Sequence, residues 1–366
     1  MSDDRIPQGK LTAVQYVVLA VMVVLIFRLA RLEVAGTEHY ETLAERNRIP
    51  AAVSEAVGEG LSDLWFVGAG GSHFTSSHVG ALMAAKGTSV PTFRVNSNEF
   101  VYDTPVRLGP DSLVIVTSHN GTTPETIKAI ETARSRGVRA VLAVSRDPES
   151  PLATNADQAF TYGSKHVVSE PTQIFLAQIG HSVLLATGDE TQSEYDEALA
   201  AYAGLHEAVV SAVAESDENF AAMAAALASQ PIIYVLGAGP SEDIARTLSM
   251  CYLQEMQWID SAAYNAGDFF HGAFEIVTEQ TPVILYLGED TSRAIAERTR
   301  AFIQKYTRQA WLVDLEDLTL PGIPKDYRAE VGPLVLGALT SRIAQHFEAT
   351  TGHSLTERRY MFKVQY

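Results

Sequence analysis

Leu64-Trp-Phe-Val-Gly-Ala-Gly-Gly-Ser72 and Ile232-Ile-Tyr-Val-Leu-Gly-Ala-Gly-Pro-Ser241 decide the fold of this chain. Each is a short apolar run that breaks at a glycine turn and leads into a helical stretch, near 74–85 in the first case and 242–256 in the second. Apolar runs of this length, bounded by glycine, read as buried strands. A further apolar strand follows each, at 112–117 and 281–286. Gly68 and Gly237 stand 169 residues apart (237 − 68), and so do Val114 and Val283 (283 − 114). Equal offsets at two separated landmarks argue for a duplicated unit.

Strands and amphipathic helices alternate within each unit. The first continues with a helix at 123–136 and a strand at 140–144, the second with a helix at 292–306 and a strand at 310–313. Such alternation predicts parallel sheets covered by helices on both faces, with right-handed crossovers. The expected fold is therefore α/β, two tandem doubly wound parallel-sheet domains at 46–187 and 226–326. A helical linker at 188–225 joins them, and a C-terminal helix and tail fill 327–366.

The 366 residues suffice for two ordinary domains, and 46% hydrophobic against 19% charged residues argues against disorder. The formal net charge of −17 and the lack of a long Lys/Arg run make a nucleic-acid partner unexpected. They also mean that an anionic substrate is held by local dipoles rather than by a general positive field. Cys251 is the only cysteine, so no intramolecular disulfide forms, which fits a reducing compartment. Its apolar neighbours Leu248, Met250 and Leu253 mark it as a small core residue rather than a nucleophile. The scattered histidines match no HExxH or CxxC spacing, so neither a metal nor a cofactor is expected.

Residues 1–45 form an apolar extension. The stretch 11–30 is long enough to cross a bilayer and lacks a small-residue cleavage site. Arg28 and Arg31 would keep the body of an anchored protein in the cytoplasm. The alternative is a start codon assigned too far upstream. Under both readings the expected location is cytoplasmic, and membrane contact is confined to this segment.

Thr117-Ser-His-Asn-Gly-Thr-Thr-Pro-Glu-Thr126 is the strongest local signal. It follows a buried strand and opens a helix, with Pro124 suited to the first turn. Ser, Asn and Thr donate hydrogen bonds, and Gly121 permits close backbone approach. Free N–H groups and the positive end of a helix dipole let such a site hold phosphate without Lys or Arg. The same residues also suit an N-cap cluster with no ligand. The counterpart at 287–292 carries Glu289 and Asp290, which would repel phosphate, so one phosphate site per chain is expected, in the first unit. It is neither a Walker loop nor a dinucleotide fingerprint.

Glu255 closes an apolar helical stretch, where burial would raise its pKa and suit it to shuttle protons. His271 lies in a glycine-flanked loop and titrates near neutrality. Taken alone, the pair also fits a solvated helix face and a loop cap.

These blocks together resemble the sugar isomerase family: the isomerase half of glucosamine-6-phosphate synthase and, more closely, the fructoselysine-6-phosphate deglycases. The likeness spans about 60–366. It implies two sugar-isomerase domains, a Ser/Thr loop for the sugar phosphate, a glutamate that moves protons between the first two sugar carbons, and a histidine that opens the ring. Glu255 and His271 stand 16 apart (271 − 255), the family interval. Ser72, Ser118 and Thr123 match phosphate-binding positions, while His119 and Asn120 stand where the synthase carries Gln and Ser. Tyr252 replaces a functional Lys of the synthase. The tail Arg358-Arg-Tyr-Met-Phe-Lys363 looks like that of a deglycase, with Lys363 either approaching the site or docking the tail. In the family the histidine often serves the neighbouring subunit, which implies a homodimer or higher homo-oligomer with shared sites. The resemblance implies a phosphosugar-amine substrate split into glucose 6-phosphate and a free amine. An aldose–ketose isomerase and a non-enzymatic phosphosugar sensor remain as alternatives.

Overall fold

The computed structural model describes residues 48–164 and 169–364. The apolar stretch at 11–30 lies outside them, as does part of the loop at 165–172. Among the described residues no helix is long and apolar enough to cross a membrane.

Two parallel sheets organise the chain. The first is built of β1 (Asp63–Gly68), β2 (Thr92–Asn96), β3 (Ser112–Thr117), β4 (Ala140–Ser145) and β5 (Gln158–Thr161), in the order β2-β1-β3-β4-β5. The second is built of β6 (Ile233–Gly237), β7 (Ser261–Asn265), β8 (Val283–Leu287) and β9 (Ala310–Asp314), in the order β7-β6-β8-β9. The strand register repeats at the 169-residue spacing. Phe66 lies opposite Ile115 as Val235 lies opposite Ile284, and Ile115 opposite Leu142 as Ile284 opposite Trp311. Gly68 pairs with Asn96 as Gly237 pairs with Asn265.

Period-2 side-chain alternation divides each sheet between two cores. Leu64, Phe66, Leu113 and Ile115 pack beneath helices Ser76–Lys86 and Ser169–Thr187. Trp65, Val67, Val114 and Val116 pack beneath helix Pro124–Ser135. In the second sheet Ile233, Val235, Ile284 and Tyr286 meet helices Leu205–Leu227 and Arg328–Thr351. Leu236, Val283, Leu285 and Leu287 meet helix Arg293–Tyr306. The stretch 188–225, expected as a linker, is helical but also structural: Tyr202, Leu205 and Phe220 belong to the second core. Helix Ser169–Thr187 serves both halves, with Phe175 in the first core and Ile174 in the second. An Arg94–Asp243 ion pair ties the halves beside it.

Two helices differ from expectation. The stretch 74–85 is broken at Thr75 into a short turn, Gly71–Phe74, and helix Ser76–Lys86. The stretch 242–256 is α-helical only over Pro240–Arg246. It then widens into a π-helix, Thr247–Met256, that ends with the Gln257 N–H donating to the Tyr252 carbonyl five residues back. A π-helix of ten residues is rare, and such segments gather at functional sites.

Candidate active site

The cradle is assembled by two neighbouring strand ends. Gly68 ends β1 where backbone passes backbone: a Cβ there would lie 2.6 Å from Thr117 Oγ1 and 2.9 Å from the Ser72 carbonyl. Gly70 has φ 55 and ψ −131, a conformation open mainly to glycine. This turn places the Ser72 carbonyl 3.0 Å from Thr117 Oγ1, which donates to it from the end of β3. Ser118, one residue on, is buried, and its hydroxyl is 2.8 Å from that of Thr123. Thr123 is the N-cap of helix Pro124–Ser135 but makes no side-chain cap bond. Gly121 turns the loop at φ 65, and its N–H donates to the Ser118 carbonyl. The Ser118 and Thr123 hydroxyls are thus brought together and the Ser72 backbone is tied to neighbouring Thr117, while Asn120 is exposed at the tip of the loop.

His119 packs on Tyr162, with Nδ1 2.8 Å from the phenol oxygen. Burial first, and the charge of Arg146 second, push its pKa down to about 4. It therefore offers no positive charge near neutral pH.

The π-helix lies across the first half's glycine turn. Cys251 Sγ is 3.5 Å from where a Gly71 Cβ would stand, and Met250 Cε is 3.8 Å from that of Gly70. Burial, then the nearby Glu255 carboxylate, push the Cys251 thiol up to about 12, so it stays protonated and a poor nucleophile. Glu255 lies one turn further along, half-buried. Burial raises its pKa while Arg358 opposes the rise, with Arg358 Nε donating to Glu255 Oε1 at 2.8 Å. The tail that carries Arg358 is anchored by Arg359, whose guanidinium lies 4.4 Å from the Trp258 ring centre. Tyr252, earlier on the π-helix, bonds Ser341 at 2.9 Å.

His271 ends a short 3-10 turn, Asp268–His271, and is exposed. Among the described residues no hydrogen bond or ion pair links its side chain to Glu255 or to the cradle. Lys363 is exposed as well. The tail instead brings Phe362 to the loop, where it lines a cavity of about 460 Å³ with Asn120, Thr122 and Arg146.

Sequence reasoning missed three features: Arg146 beside the loop, Arg358 on Glu255, and the π-helix itself. Only the basic tail gave a signal for any of them. The second half answers the cradle with its own acid. There Asp290 Oδ1 accepts the Ser292 N–H at 2.9 Å, so a protein carboxylate sits against the loop amide. Among the described residues no group of three or more His, Cys, Asp or Glu side chains is placed to hold a metal ion.

Comparison with known proteins bears on the family and the fold. Residues 62–186 match the model of the SIS domain. The chain is 32% identical to fructosamine deglycase FrlB of Bacillus subtilis, over 89% of this chain and 99% of the relative. It is 24% identical to fructoselysine 6-phosphate deglycase of Escherichia coli, over 85% and 89% of the two chains. The crystal structure of a candidate phosphosugar isomerase from Bacillus subtilis superposes with a TM-score of 0.82 at 31% identity, covering 87% of this chain and 97% of that one. The chain belongs to the SIS domain family.

Proposed function

We propose that this enzyme is a deglycase for 6-phosphorylated fructosamines, such as fructoselysine 6-phosphate, releasing glucose 6-phosphate and the free amine. The packing of the Glu255 helix on the first half's glycine turn, Cys251 against Gly71, carries this reading. It sets the helix that carries a half-buried carboxylate against the turn that leads into Ser72. The names of the two deglycase relatives support the substrate class. The shared strand register supports two tandem sugar-isomerase domains, at 46–187 and 226–326.

Ser72, Ser118, Asn120 and Thr123 hold the phosphate, and His119 contributes its backbone rather than charge. Asp290 in the second loop argues for one phosphate site per chain. With the phosphate fixed, Glu255 removes a proton from C1 of the ketosamine as the C2 oxygen gains one, which gives an enol-amine. The proton returns to C2 as the nitrogen loses its own, and the product is an aldose imine. Water adds across the C=N bond, and the amine departs. The net reaction consumes one water. His271, exposed on its own chain, reaches the site of a neighbouring subunit to open the ring, so the working form is a homodimer or higher oligomer.

The test is a product assay with several synthetic 6-phosphofructosamines, scoring free amine and glucose 6-phosphate together. Equal amounts of both support the proposal. Interconversion of fructose and glucose 6-phosphates without amine release identifies an isomerase instead. Thermal stabilisation by phosphosugars with no turnover identifies a sensor.

A further inference from the structure

Arg146 directly follows β4, and its backbone is pinned to the cradle. Its N–H donates to the His119 carbonyl at 2.9 Å, and its carbonyl accepts the Gly163 N–H at 3.0 Å. Arg146 lines the cavity of about 460 Å³ together with Asn120 and Thr122 of the 118–123 loop and Phe362 of the tail. Its Nε is shut from solvent without a hydrogen-bond partner, and among the described residues the guanidinium forms no ion pair. Asp147 and Glu149 line the same cavity, but Asp147 Oδ1 is already engaged by the Glu149 N–H at 2.9 Å.

Among the described residues Arg146 has no ionic partner, in a chain with 44 acidic and 27 basic residues. The second half shows the contrast. There Arg293, beside the equivalent loop, is held by Asp314, Glu297 and Glu316, and Asp290 supplies the loop's anion. The position 169 residues after Arg146 is Leu315, which is buried. Where Asp290 accepts a loop amide in the second half, no side-chain carboxylate is bonded to the 118–123 loop or to Arg146 among the described residues.

We infer that Arg146 is the charged anchor for the substrate's phosphate, completing the cradle of hydroxyls and amides. This rests on the loop at 118–123 being the phosphate cradle. A guanidinium pairs with two phosphate oxygens through its planar fork and balances a dianion that neutral donors only solvate.

The experiment measures glucose 6-phosphate binding by calorimetry, and steady-state turnover, for wild type, Arg146→Met and Arg146→Lys. Arg146→Met should weaken binding about 10- to 100-fold and flatten its salt dependence, while Arg146→Lys recovers part of the loss. KM should rise by a similar factor, with kcat changed less than about threefold. Paired substrates, the 6-phosphofructosamines of methylamine and of glycine, separate phosphate from carboxylate. An equal penalty on both supports the inference, whereas a penalty confined to the glycine adduct overturns it. Unchanged glucose 6-phosphate affinity in Arg146→Met also overturns it. Should Arg146→Met fail to fold, the salt dependence of Arg146→Lys against Arg146→Gln decides, and equal slopes and affinities overturn the inference. A wild type that binds glucose 6-phosphate through Arg146 but releases no amine would sink the deglycase reading and leave this one standing.

Discussion

Replacing His181 with Leu should destabilise the fold more than any change at the candidate site. His181 is fully buried on helix Ser169–Thr187, and both ring nitrogens meet carboxylates: Nδ1 lies 2.9 Å from Glu190 and Nε2 2.9 Å from Glu330. Lys86 pairs with Glu190 at 3.0 Å, so one imidazole and one ammonium sit against two carboxylates across helices from both halves. Burial by itself would lower the pKa of His181, but the hydrogen bonds and charges of Glu190 and Glu330 outweigh it and raise the pKa above the ordinary 6.5. Removing one partner of a buried ion pair strands the others, at a cost of about 3–5 kcal/mol. At roughly 1–2 °C per kcal/mol for a chain of this length, the melting temperature should fall by roughly 3–10 °C. The pH dependence has a definite sign. A folded pKa above the unfolded one gives stability that is fully present below about 6.5 and lost as pH rises through the raised value. The gap between wild type and His181→Leu, read from urea or thermal melts across pH, should therefore be widest near pH 6 and narrow in alkali. A gap under about 1 kcal/mol at pH 6, or one that widens with pH, would refute the charged-imidazole argument.

Three further outcomes are expected. Glu255→Gln should lower turnover by about 10²–10⁴ while glucose 6-phosphate still binds, as single-turnover and calorimetric measurements would record. Arg358→Met removes the cation that holds the Glu255 pKa down. The acidic limb of the pH–rate profile should then move to higher pH, and an unmoved limb would show that Glu255 is not the titrating base. Glu255→Gln and His271→Asn chains, each inactive alone, should regain activity when their subunits are exchanged. Continued inactivity of a mixture shown to contain hybrids would mean that the site is not shared between chains.

Much of the plan was legible because it rests on local physics. The apolar runs at 64–67 and 112–117 became central strands, and the loop from Ser118 to Thr123 sits at a strand end before a helix as its Ser, Gly and Pro predict. The 169-residue offset noted at two landmarks reappears as strand register. The edge strands β2 and β7 were not legible, since Thr92–Asn96 and Ser261–Asn265 are short and polar and lie only partly buried. They present no unbroken apolar run.

What the sequence by itself determined was the central strands and their helices, the placing of the loop from Ser118 to Thr123 between a strand and a helix, and the candidacy of Glu255, because periodicity, glycine turns and helix caps act over a few residues. Only the tertiary structure decided which charges meet. It set Arg358 on Glu255 across 103 residues, left Arg146 Nε without a partner among the described residues, and closed His181 between Glu190 and Glu330. The physical reason is that electrostatic pairing depends on separation in space and on shared exclusion of water, neither of which chain order specifies.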